Sequence, residues 1–167
     1  MWNNPIGVGQ GNRRRAFAAT SGLISLLLGV SVYLLDRDWQ SVLFLAPFSA
    51  GQHAVVGWFG PLGFNLPSFF HAYGFALLII LAMGGRRISA LPGAAGWFGI
   101  AILLEAIQSE TAGSFVLTTH RFVSDSAFGR AVEAYIVNGS FDIGDILAAA
   151  IGCIAASTVA YKMEVPK

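Results

Sequence analysis

Residues 138–161 read NGSFDIGDILAAAIGCIAASTVAY. From Ile143 to Tyr161 the run holds one charged residue, Asp145, and no proline, and its length approaches the about 20 apolar residues an α-helix needs to cross hydrocarbon. Its start carries two acids, Asp142 and Asp145, three positions apart and therefore on one helix face. An ionised carboxylate at mid-bilayer costs about 2.5–3.5 kcal/mol on insertion scales, so a helix opening this way requires partners that shield it from lipid.

The whole chain fits that reading. Its 167 residues are 55% hydrophobic and 11% charged, against about 45–50% and about 25% in soluble domains, and the mean hydropathy is +0.65. Length and the absence of repeats predict one domain. The ten basic residues lie in small groups beside apolar runs rather than in one patch, which excludes nucleic acid as a partner. Cys153 is the only cysteine, so no disulfide forms within the chain. Arg13, Arg14 and Arg15 precede Ala16–Leu35 as the charged region of a signal peptide precedes its core, but this run is longer than the about 7–15 residues of such cores. It continues into DRDWQ without a small-residue cleavage pattern. A retained helix is expected.

The predicted fold is all-α: a polytopic membrane protein with a bundle of four transmembrane helices at about 16–35, 66–83, 91–107 and 143–161. Residues 16–161 form the membrane domain, 1–15 an N-terminal segment and 162–167 a tail. Arg13–Arg15, Arg86, Arg87, Lys162 and Lys167 fall on one side of these spans, and Arg37, Arg121 and Arg130 on the other. The positive-inside bias then places both termini in the cytoplasm of a bacterial-type cell. The opposite side carries Asp36, Asp38, Glu110, Asp125, Glu133 and Asp142 and both long connections. The first connection is apolar but broken by Pro47, Gly51, Gly57, Gly60, Pro61 and Gly63, which predicts a re-entrant or interfacial hairpin. In the second, Phe128, Ala131, Val132, Tyr135 and Ile136 recur at helical spacing opposite Arg130 and Glu133. That pattern predicts an amphipathic helix on the outer face, capped by Ser124 or Asp125 and ended at Asn138-Gly139. Trp2, Trp39, Trp58 and Trp97 are expected as headgroup anchors, and Gly22, Gly29, Gly96, Gly99, Gly144 and Gly152 as packing positions.

Glu105 and Gln108 close the third span, Asp142 and Asp145 open the fourth, and His71 stands near the start of the second. All five should meet at one depth beneath the outer interface. Asp142 is expected to cap its helix. Asp145 and Glu105 should face each other, His71 or water, sharing a proton or pairing with the imidazole. No metal is expected, because no spacing holds two ligands rigidly together. His53 and His120 read as solvated loop residues, His120 being adjacent to Arg121.

HAYGFALLIIL, EAIQ and GSFDIGDILAAAIG, in that order, resemble the VanZ-like integral membrane proteins. Their pattern is His on one helix, Glu-x-x-Gln on the next, then Arg-Ser-x-Asp-x-x-Asp-x-x-x-Asn-x-x-Gly. The resemblance covers roughly the last 100 residues and puts His71, Glu105, Gln108, Asp142, Asp145 and Gly152 on family positions. Gly139 replaces the family arginine, Ala149 replaces its asparagine, and the stretch from Gln108 to Gly139 is longer than usual. Arg121 or Arg130 of that stretch is the candidate counter-ion. Some family members are linked to reduced susceptibility to the glycopeptide teicoplanin.

Two functions follow as expectations. One is binding or processing of an outer-leaflet amphiphile, such as a lipid-linked envelope precursor or a lipophilic glycopeptide, with Glu105 or Asp145 as base and His71 as its partner. The other is an accessory transmembrane subunit binding protein chains or pigment, its polar cluster inherited. Membrane lipid is the expected partner in both, and the sequence specifies no cofactor.

Overall fold

A computed structural model of the chain describes residues 5–36, 57–119 and 126–163. These residues form six α-helices: α1 (Pro5–Asp36), α2 (Leu66–Ala82), α3 (Arg87–Ala106), α4 (Glu110–Thr119), α5 (Ala127–Asn138) and α6 (Ile143–Met163). A 3-10 turn, Gly60–Phe64, precedes α2, and no strand occurs among the described residues. Three helical stretches are long and apolar enough to cross a membrane, Gly11–Asp36, Arg87–Ala106 and Ile143–Met163; Leu66–Ala82 is apolar but shorter. Residues 41–56 of the expected hairpin, with His53, lie outside the described residues.

Two helices start earlier than expected. α1 already includes Arg13–Arg15, because arginine is a good helix former and long cationic side chains find partners at the bundle's end. Arg14 Nη1 donates to the Lys162 carbonyl at 3.3 Å, and Arg15 Nη2 to the Gly84 carbonyl at 3.0 Å. α3 starts at Arg87 rather than Leu91. Ser89 accepts the Arg86 N–H at 3.1 Å, satisfying an amide that the helix start otherwise leaves bare. Between α2 and α3, Gly84 and Gly85 hold φ of 101° and 62°, the left-handed region that favours glycine. Their amides close on Leu81 and Ile80 carbonyls, reversing the chain in a few residues.

α2 is the hub, packing on α1, α3 and α6, while α3 also packs on α6. The core they enclose is built largely from alanine: Ala72 and Ala76 of α2, Ala90 and Ala94 of α3, and Ala149, Ala156 and Ala160 of α6, with Leu77, Ile80 and Cys153 among them. Between apolar helices in lipid there is little hydrophobic gain from association, so close backbone approach and dispersion supply the attraction. Gly152 marks the tightest crossing. A Cβ there would lie 2.5 Å from the Phe69 carbonyl oxygen and 2.9 Å from the Tyr73 nitrogen, backbone atoms that cannot swing aside. The outward faces remain apolar, with Phe17, Leu27, Ile88, Leu91, Leu103 and Ile154 all more than half exposed. Trp97 sits mid-way along α3, its ring 4.3 Å from that of Phe75, so it packs between helices rather than anchoring at a bundle end; Trp58 is exposed near the acidic end, and Trp2 and Trp39 lie outside the described residues.

The four long helices alternate in direction, which sorts charge to opposite ends. Arg14, Arg15, Arg87 and Lys162 meet at one end, with Arg87 4.7 Å above the Tyr161 ring. Glu105, Asp142 and Asp145 meet at the other. Gly152→Leu is expected to destabilise the fold by about 1–3 kcal/mol or more through overpacking. Gly99, where an added Cβ meets nothing, should tolerate alanine with unchanged or slightly raised stability. Thermal unfolding of both variants in mild detergent checks the contrast.

Candidate functional site at the acidic end

The acidic end is assembled by the starts of α2 and α6 and the end of α3. Asn65 and Ser68 flank Pro67, which occupies the first turn of α2, where its missing N–H costs no helix bond. Asp142 precedes α6; its Oδ1 accepts the Gly144 N–H at 2.7 Å, the capping bond its position implies. Its Oδ2 accepts from Asn65 Nδ2 at 3.4 Å, and the same amide donates to Asp145 Oδ1 at 3.2 Å. Ser68 Oγ donates to Asp145 Oδ1 at 2.7 Å. The Asp142 N–H donates to Oε1 of Glu105, a carboxylate only 8% exposed at the C-terminal turn of α3. Asp142 and Asp145 thus take these bonds from neutral donors, and α2, α3 and α6 are stitched at one depth.

α5 closes the site from the side. Ser126, rather than Ser124 or Asp125, caps it, its Oγ accepting the Gly129 N–H at 2.9 Å; a serine three residues before a free amide is the geometry that bond needs. Ile136 is buried, and Arg130 and Glu133 are exposed on the helix. The Tyr135 hydroxyl donates to the Leu104 carbonyl at 3.4 Å and meets Gln108. Its pKa is pushed up to about 12, first by burial and then by the negative charges of Glu105 and Asp145, against a hydrogen bond with Gln108 that favours the anion. The phenol therefore stays protonated and serves as a donor beside the acids.

The space beside Gly139 is filled by its neighbours. A Cβ there would lie 2.6 Å from Cδ of Gln108 and 2.5 Å from the Tyr135 carbonyl oxygen, so the Gln108 side chain occupies the space beside residue 139. Arg130 is exposed, and His120 and Arg121 lie outside the described residues. Beside Gln108 opens a cavity of about 530 Å³ between α4, α5 and the link to α6, walled by Ser109, Glu110, Ser114, Ile136 and Phe141.

His71 is set apart from the acids. Its ring stacks on Tyr33 of α1 with centroids 5.3 Å apart, and Nε2 lies 2.9 Å from where a Cβ of Gly29 would stand. It fills the α1–α2 seam, whereas Ser68, one turn earlier, turns to α6. Asn65 and Ser68 are not singled out by the sequence, and Tyr135 is read there only as part of the apolar face of the amphipathic helix. Asn65-Leu-Pro-Ser68 at the head of an apolar run is the available signal, because polar groups opening two parallel helices of one bundle reach the same depth. Among the described residues, no group of three His, Cys, Asp or Glu side chains is arranged to hold a metal.

Two outcomes follow. Asn65→Leu removes the donor shared by Asp142 and Asp145 and is expected to cost about 1–3 kcal/mol in detergent unfolding. Because Tyr135 holds its proton to higher pH folded than unfolded, its contribution is present below its ordinary pKa and is lost as pH rises toward about 12. Unfolding followed from pH 9 upward, a range set by the ordinary tyrosine pKa of about 10, should show an alkaline loss of stability that Tyr135→Phe reduces.

Compared with known proteins, the chain matches no family model, no curated protein sequence and no solved structure.

Proposed function

We propose that the chain is a VanZ-like integral membrane protein of a bacterial-type cell membrane, with α1, α2, α3 and α6 crossing the bilayer and both termini in the cytoplasm. In this reading the acidic end lies just beneath the outer headgroups and takes up a membrane amphiphile, a lipid-linked envelope precursor or a lipophilic glycopeptide. The observation that carries it is the juxtaposition of an interhelical carboxylate cluster, Glu105, Asp142 and Asp145, with an open cavity lined by Gln108, serines and apolar side chains. Intramembrane acids are costly and mark sites of function, and a mixed polar and apolar wall suits a molecule with a polar head and an apolar tail. In this reading Glu105 or Asp145 acts as the base, and Gln108, which lines the cavity, binds the polar head. His71, seated against α1, contributes packing rather than proton transfer in this reading.

A second reading, an accessory transmembrane subunit that binds protein or pigment without catalysis, is favoured by one observation. Gly96 and Gly99 lie exposed on α3, where an added Cβ meets no atom, so that face accepts a close-packed neighbour. Mass spectrometry of material purified in mild detergent separates the two: a stoichiometric amphiphile supports uptake, and a stoichiometric partner chain supports the subunit. Glu105→Gln and Asp145→Asn should each lower amphiphile retention at least tenfold, roughly the 1.4 kcal/mol of one lost charge-assisted bond, while leaving the protein folded. Retention unchanged in both variants removes these acids from the site.

A further inference from the structure

The opposite end of the bundle carries a second amphiphilic feature that the acidic site does not use. Arg13, Arg14 and Arg15 of α1, Arg86 and Arg87 at the start of α3, and Lys162 of α6 are all exposed. The Arg14 bond to the Lys162 carbonyl ties α1 to α6 there, the Arg15 bond to the Gly84 carbonyl ties α1 to the α2–α3 turn, and Arg87 covers the Tyr161 ring. Cations from three separate segments are thereby held together. A guanidinium carries five donors, so the single carbonyl contact of Arg14 and of Arg15 does not exhaust either group.

A largely apolar groove of about 390 Å³ runs between α1, α2 and α6, walled mainly by Phe17, Ile24, Leu28, Phe69 and Phe70, with Ser21 and Tyr73 also in its wall. Phe17 stands one helical turn from Arg13 and Arg14. From Phe17 to Leu28 the groove follows α1 for about 16 Å at 1.5 Å per residue. That is about half of a 30 Å hydrocarbon core, the depth of one leaflet. Exposed Ile88, Leu91 and Met83 flank the cations on the other side.

We propose that this groove and the Arg13, Arg14 and Lys162 cluster, one helical turn beyond its Phe17 end, bind one anionic phospholipid, an acyl chain lying against Phe17, Ile24 and Leu28 and the phosphate on the guanidinium groups. Charge complementarity selects the headgroup. The leaflet-deep groove selects a lipid over free phosphate, which has nothing to place there. The cations lie at the far end of the bundle from Glu105 and Asp145, and the groove shares no wall residue with the cavity beside Gln108, so the proposal stands or falls independently of the amphiphile proposed for the acidic end.

The test is native mass spectrometry of the full chain from nanodiscs holding equal phosphatidylglycerol and phosphatidylcholine with identical acyl chains. The wild type should retain phosphatidylglycerol over phosphatidylcholine by about tenfold or more, given the contribution of each basic residue near an anionic surface, and the preference should shrink as salt rises. Arg13→Gln with Arg14→Gln should abolish the preference, and Ile24→Trp, which fills the groove, should lower retention of both lipids. Equal retention by the wild type, or a preference indifferent to salt, overturns the proposal, and neither depends on any variant folding. A preference unchanged in the double arginine variant, retention unchanged in Ile24→Trp, or displacement by inorganic phosphate as effective as by short-chain phosphatidylglycerol also overturns it.

Discussion

A carboxylate inside an apolar bundle has to be answered by neighbouring helices, because lipid offers it nothing. Asp145 is answered by Ser68 and Asn65 of the α2 start, and Glu105 of α3 receives the amide that opens α6. These bonds cross helix boundaries at one depth, so they fix the register of α2, α3 and α6 against one another in a way that alanine-lined packing cannot. Apolar surfaces slide; a donor and an acceptor do not.

The remaining contacts permit that register. Gly152 lets α6 come within van der Waals reach of the α2 backbone at Phe69 and Tyr73, one and five residues beyond Ser68. Had a side chain stood at Gly152, the two helices would separate and the Ser68 bond to Asp145, 2.7 Å long, would open. At the far end, Arg14 and Arg15 hold α1 against the carbonyls of Lys162 and Gly84, where helix C-termini leave acceptors unsatisfied. One end of the bundle is therefore closed by acids on neutral donors and the other by cations on backbone oxygens.

Much of this was legible in the sequence and some was not. The bounds of α2 and α6 are set by apolar runs with clear stops, Pro67 at one start and Gly84-Gly85 after one end, and they were read to within a residue or two. The meeting of Glu105, Asp142 and Asp145 was legible from spacing and alternating helix direction. The place of His71 was not, because depth in the membrane follows from position along the chain, whereas azimuth depends on which neighbour each face meets; Ser68 and His71 differ by about 60° around α2, enough to send one to α6 and the other to α1. Asn65 and Ser68 were hidden because polar residues at a helix start resemble ordinary caps. The starts of α1 and α3 were missed because charged residues at a bundle end continue a helix as well as they interrupt an apolar run.

The cross-helix bond between Ser68 and Asp145 tests the account most directly. A double-mutant cycle of Ser68→Ala and Asp145→Ala, read by unfolding in bicelles, should give a coupling of about 0.6–1.7 kcal/mol, the range of interhelical hydrogen bonds in membranes. Additive losses, with a coupling indistinguishable from zero, would contradict it: α2 and α6 would then be held by shape alone, and the acids at their starts would face something other than each other's helices.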